Sequence, residues 1–196
     1  MPSAIATALL LALALTVLLP VESRADAKAG EQKAQLCLLC HKVANTTAPL
    51  STIPLLEAQP ARYLYLQTKA YKEKRRADHV MQTNTANLSE RDMRDIADYL
   101  SAHKPVRATY QLDPTLVAAG KAKTEELKCA TCHLPTFHGG GEIPRLAGQT
   151  PGYLKAQLEA FAAAKRPHGT GEHSAPAMTL NEQEMDSLAQ FLASLE

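Results

Sequence analysis

The apolar positions of this chain follow two rhythms. The first is an almost unbroken run from Ala4 to Pro20, ending at Val21-Glu22-Ser23-Arg24. Ala25-Asp26-Ala27 then places small residues at the two positions a signal peptidase reads. This predicts a cleavable secretory signal over 1–27 and a mature chain from Lys28. The front, Met1-Pro2-Ser3, carries only the amino-terminal charge, so an uncleaved anchor is the alternative. The run is short for a bilayer span, which takes about 20 residues. The second rhythm is helical and fills the remainder. Tyr153, Leu154, Gln157, Leu158 and Phe161 share one side of a helix predicted over 151–164, matched by one over 60–71. Met93, Ile96, Ala97 and Leu100 form a stripe, as do Met185, Leu188, Ala189 and Leu192. Each stripe follows a cap residue with an acid three places later, Ser89 with Asp92 and Asn181 with Glu184. Earlier helices are predicted over 29–41 and 114–133, the second capped by Asp113 ahead of Pro114. No segment alternates long enough to be a strand, so the expected fold is all-α.

These elements repeat. Pro54, Tyr63, Leu64, Gln67 and Arg76 recur 90 positions later as Pro144, Tyr153, Leu154, Gln157 and Arg166. Leu88, Met93, Ala97 and Leu100 recur 92 positions later, and Tyr99 returns as Phe191. An internal repeat takes precedence in any reading of the fold. It predicts two domains, 28–104 and 116–196, each of three helices. The proline-framed stretch 105–115 joins them.

The balance of charge adds little. Without Glu22, Arg24 and Asp26 the mature chain keeps 20 basic and 18 acidic side chains, a formal +2. Nothing in that balance points to nucleic acid. Aromatic residues make up only 5% of the chain, and tryptophan is absent. Domains this small and this poor in large side chains struggle to bury a sufficient core.

The cysteines supply the missing piece. All four fall in two copies of Cys-x-x-Cys-His, Cys37-Leu38-Leu39-Cys40-His41 and Cys129-Ala130-Thr131-Cys132-His133. That pattern attaches a c-type haem: two thiols bond to the macrocycle and the adjacent imidazole holds the iron. Two covalently bound haem c groups are therefore expected, and their apolar rings complete the two cores. A thioredoxin-like disulfide pair is a weaker reading, because a His follows both motifs and no βαβ pattern follows Cys40. One zinc shared by both motifs would have to bridge the 88 residues between Cys40 and Cys129.

His41 and His133 are the expected proximal iron ligands. The distal ligand should come from the loop before the last helix of each domain. In the first domain that is Met81, eight residues before Ser89, with His79 as the alternative; Met93 lies on a helical stripe and reads as core. In the second domain two residues compete. His173 stands eight residues before Asn181 and 92 after Met81, while Met178 is the methionine of that loop but only three residues from Asn181. His173 is the favoured reading, Met178 the alternate, and His168 a minor one. Methionine raises a haem's potential and nitrogen ligation lowers it, so His173 would send electrons from the second domain to the first. Pro54 and Pro144 are placed to offer a carbonyl to the second imidazole nitrogen. Arg76 and Arg166 are candidates for haem propionates or plain surface residues. Tyr63 and Tyr153 are expected along the ring or the interdomain face. Gly139-Gly140-Gly141 lacks the Lys-Ser/Thr of a phosphate loop.

With its paired Cys-x-x-Cys-His domains, the chain resembles the diheme cytochrome c4 family. The likeness includes Ile143-Pro144-Arg145-Leu146-Ala147-Gly148-Gln149 leading to Tyr153-Leu154-x-x-Gln157-Leu158, and a final Leu-Ala-x-Phe/Tyr-Leu helix. It spans the mature sequence and is specific for tandem class I cytochrome c domains. The resemblance implies two helical domains about a pseudo-twofold axis with propionate edges near their interface. It implies His/Met ligation through His41, Met81 and His133; His173 is a departure. It also implies single-electron transport in the periplasm between partners such as a quinol-oxidising complex, a terminal oxidase or a periplasmic dehydrogenase, and leaves peripheral membrane association open. Lys42 stands where the family generally has glycine, and Ala58-Gln59 only partly matches Ala-Gly-Gln. An electron carrier is the leading function. A cytochrome subunit of a dehydrogenase, or a diheme peroxidase-like or sulfur-compound-oxidising enzyme with one open haem site, is the alternative.

Overall fold

The computed structural model describes residues 27–42, 51–106, 108–166, 168 and 179–196. The predicted signal up to residue 26, and the rival ligands His173 and Met178, lie outside these residues. The first half contains α1 (Ala27–Leu38), α2 (Ala61–Lys72), α3 (His79–Thr85) and α4 (Glu90–Ser101). The second contains α5 (Pro114–Glu126), α6 (Ala130–His133), α7 (Pro151–Ala162) and α8 (Glu182–Ser194). Among the described residues the only β pairing is a single bridge between Gly140 and Ile143.

The two halves are built alike. α1 packs on α4, and α5 packs on α8. Both crossings are closed by a glycine: a Cβ on Gly30 would collide with the Asp95 carbonyl, and one on Gly120 with the Ser187 carbonyl. Both last helices open on the expected capping boxes, Ser89 with Asp92 and Asn181 with Glu184. Each cap satisfies backbone N–H groups that the first turn leaves unpaired. The stripes predicted for these helices form the cores. Met93, Ile96, Ala97 and Leu100 pack with Ala34, Leu38 and Leu64; Ala189 and Leu192 pack with Leu154, Phe137 and Phe191. Cys37 borders the first core and Cys129 the second.

Two expectations need correction. The helix predicted over 114–133 is broken. α5 stops at Glu126, Lys128 takes a left-handed φ of 54°, and α6 starts at Ala130. Seven residue steps separate Gly30 from Cys37, but nine separate Gly120 from Cys129. The two extra residues would turn the second motif away from its core if the helix ran on, so they are spent in a turn. The segment carrying Met81 was expected as a loop, yet it holds the short helix α3. Asp78 caps it by accepting from the Met81 backbone N–H at 2.9 Å.

Candidate functional site

Each Cys-x-x-Cys-His motif folds into the same tight turn. The His41 N–H donates to the Cys37 carbonyl at 3.1 Å, and the His133 N–H to the Cys129 carbonyl at 3.1 Å. In both copies the first cysteine is half-buried against the core and the second is exposed. Burial pushes the Cys37 and Cys129 thiols up. Both imidazoles turn inward and are about nine-tenths or more buried, His41 at 7% exposed and His133 at 8%.

The imidazoles are held by the prolines picked out by the repeat. His41 Nδ1 lies 2.7 Å from the Pro54 carbonyl oxygen, and His133 Nδ1 lies 3.2 Å from that of Pro144. A carbonyl oxygen can only accept, so Nδ1 carries the proton and Nε2 keeps its lone pair. Burial lowers the pKa of both rings, which favours that neutral form. In the second half a glycine makes the approach feasible. Gly139 adopts φ 63°, and a Cβ there would strike the Ile143 and Pro144 carbonyls. Two thiols and a neutral, oriented nitrogen donor on one turn fit an iron porphyrin anchored through its edge. Among the described residues no three or more His, Cys, Asp or Glu side chains converge as a metal cluster, so the motifs do not join into one zinc site.

Of the distal candidates in the first half, Met81 is half-buried on α3 and His79 is exposed at the start of that helix. In the second half the His168 ring centroid stands 6.1 Å from that of His133, and the same ring packs edge-on against Phe161 at 4.8 Å.

The two arginines are not plain surface residues. Arg76 is only 8% exposed and reaches across the domains to the Tyr153 hydroxyl at 3.0 Å and Gln157 Oε1 at 2.9 Å, while also donating to Gln67 Oε1 at 2.8 Å. Arg166 makes the exchanged set, to Tyr63 at 3.0 Å, Gln67 at 3.2 Å and Gln157 at 2.5 Å. Each amide oxygen thus accepts from both guanidiniums. Burial pushes the Tyr153 phenol up, but the two arginines outweigh it and hold the phenol below its usual range.

A second exchanged pair went unseen in the sequence. Gln59 donates to the Arg145 carbonyl at 2.7 Å and accepts from the Arg145 N–H at 3.0 Å. Gln149, 90 positions on, does the same to Leu55 at 2.9 and 2.7 Å. Both glutamines are buried. A glutamine whose two amide atoms read one backbone residue as a strand neighbour would is a register device, and the repeat of Gln59 as Gln149 was its only sequence signal.

Comparison with known proteins agrees with this geometry. The family model described as cytochrome c matches residues 27–104 and 117–196. Cytochrome c4 of Pseudomonas aeruginosa is 32% identical over 95% of this chain and 96% of its own length. A thiosulfate dehydrogenase electron acceptor of Thiomonas intermedia is 28% identical over 85% of this chain and 81% of its own. The crystal structure of reduced recombinant cytochrome c4 from Pseudomonas stutzeri superimposes with a TM-score of 0.76 at 28% identity, covering 87% of this chain and 99% of that one.

Proposed function

Because the chain belongs to the cytochrome c family, as a cytochrome c4-like electron carrier with two haem c sites, we propose that Cys37 and Cys40 bind the first haem through thioethers and Cys129 and Cys132 the second. His41 and His133 hold the two irons through Nε2. Met81 is the distal ligand of the first. His173 is the distal ligand of the second, with Met178 as the alternate. The bound groups supply one-electron exchange between ferric and ferrous iron. The protein's part is to fix the imidazoles, exclude water and bring the two sites together.

The observation that carries this reading is the twofold recurrence of a buried, carbonyl-oriented histidine beside a cysteine pair. Arg76 and Arg166 deepen it. The buried Arg76 guanidinium and the half-buried one of Arg166 share amide oxygens, and like charges brought this close away from bulk water call for an anion. The propionates of both haems are the anions they take. The mature protein starts at Lys28 after loss of the signal 1–27, works in the periplasm, and is organised as domains 28–104 and 116–196 about the linker 105–115. Its partners are a quinol-oxidising complex, a terminal oxidase or a dehydrogenase. The relative named as a thiosulfate dehydrogenase electron acceptor favours the last.

The test is the pigment of protein isolated from cells with haem-ligation machinery. Two haems per chain by pyridine haemochrome, retained through acidified acetone, are expected. Colourless protein ends the reading. Near-infrared magnetic circular dichroism should give one His/Met and one bis-His signal. Of His168→Ala, His173→Ala and Met178→Ala, only the change at His173 should alter the second haem's signal.

A further inference from the structure

Leu55 and Arg145 hold one place in the repeat, the residue after the proline whose carbonyl orients the imidazole. The glutamine exchange fixes both backbones in the same way. Both side chains are buried, Leu55 at 6% exposed and Arg145 at 8%. The fold therefore accepts an apolar side chain at this place and does not call for a cation. The second half buries one all the same.

That cation is poorly compensated. Its Nε donates to the Ala147 carbonyl at 3.0 Å, the one side-chain hydrogen bond it makes among the described residues. Arg62, Arg75 and Arg94 each pair with a glutamate. No carboxylate among the described residues comes within ion-pair distance of Arg145. Glu57 lines the same cavity of about 10 Å³ at the junction of the halves without pairing to it. Burial alone moves the pKa of the guanidinium, downward, and an arginine stays charged even so. A cation withdrawn from water without a counter-charge is costly, so its presence asks for a reason.

Its place supplies one. Arg145 directly follows the carbonyl that holds His133, so its field bears on the second site. Gaining one electron makes an iron porphyrin less positive by one charge, and a nearby cation favours that state. At an effective dielectric of about 20, a unit charge about 10–15 Å away shifts a one-electron equilibrium roughly five- to twentyfold.

We propose that Arg145 is a fixed buried charge that biases the second haem toward its ferrous state, raising its potential above that of the same site with the first half's leucine. The inference rests on the second haem c site proposed above and holds whichever residue fills the distal position.

The test is a redox titration of the two-haem protein followed by NMR, each haem reporting through its own methyl resonances. At the wild-type midpoint, the ferrous-to-ferric ratio of the second haem should fall at least threefold in Arg145→Leu and Arg145→Gln. The first haem should move less. The fall should persist at about 1 M salt, where the field of an exposed charge is screened within about 3 Å. Arg145→Lys, which keeps the charge, should show less than half of that shift. A smaller fall in a neutral variant that keeps two haems overturns the proposal. So does an equal or larger fall at the first haem, or one that salt abolishes. Half or more of the shift in Arg145→Lys would assign the effect to lost packing and overturn it too. Arg145→Gln keeps an amide donor for the Ala147 carbonyl, so it decides the matter if the leucine variant does not fold. Loss of haem from both neutral variants, but not from Arg145→Lys, would assign the charge to folding and also overturn it. A haem count below two in the wild-type chain would instead refute the haem reading itself, which keeps the two failures distinct.

Discussion

Ala58 and Gly148 occupy the same place in the repeat and adopt the same left-handed backbone, at φ 60° and 70°. Each donates its N–H to the end of the last helix, Ala58 to the Leu100 carbonyl at 3.1 Å and Gly148 to Leu192 at 2.9 Å. For alanine that conformation costs about 1–2 kcal/mol, offset in part because glycine loses more freedom on folding. Ala58→Gly should therefore stabilise the protein by about 1 kcal/mol, read as a higher urea midpoint at unchanged m-value. An unchanged or lower midpoint would show that the strain is relieved elsewhere. The alanine gives no sign of its backbone in the sequence; only alignment with Gly148 exposes it. The motif singles out His41 and His133 in the sequence, and the structure buries both rings. Their pKa values lie below the ordinary imidazole value of 6.5 because burial disfavours the charged ring.

At the scale of elements, the long stripes and their capping boxes were readable because three turns of helix carry enough period to reveal a face. α3 was not. Seven residues are too few for a period, and its start depends on Asp78, one capping residue among many polar ones. The break between α5 and α6 was hidden for another reason: the extra two residues appear only when the halves are aligned at Gly30 and Gly120 rather than at the cysteines. Those two glycines also set how closely the first and last helices of each half approach. A methyl group at either would meet a backbone carbonyl, which cannot swing aside as a side chain can. Gly30→Ala and Gly120→Ala should each destabilise by about 1–3 kcal/mol or more, as overpacking does. Each should act on its own half, with loss of one haem's native absorbance before the other's on thermal melting. Two melts that stay superimposed would mean that the halves unfold as one unit.

For the whole molecule, the sequence repeat identified both domains but could not tell that they clasp each other. A repeat is equally compatible with two beads on a string. What joins them here is an exchange: the residue doing a job in one half reaches into the other, where its repeat partner reciprocates. Gln59 and Gln149 make this explicit through four buried hydrogen bonds to the Arg145 and Leu55 backbones. Cutting either glutamine to alanine leaves a buried N–H and carbonyl without that partner, at about 1–3 kcal/mol for each group left unsatisfied. Neither glutamine belongs to the cysteine turns, so haem content should survive. Gln59→Ala/Gln149→Ala should therefore keep two haems while the domains part. The expected signs are a larger radius of gyration by X-ray scattering and faster protease cleavage between α4 and α5. A compact, protease-resistant double variant would show that the Arg76 and Arg166 cluster suffices alone. Adding Arg76→Gln should then open the molecule, because it removes the donor that bonds Tyr153 and Gln157 across the junction.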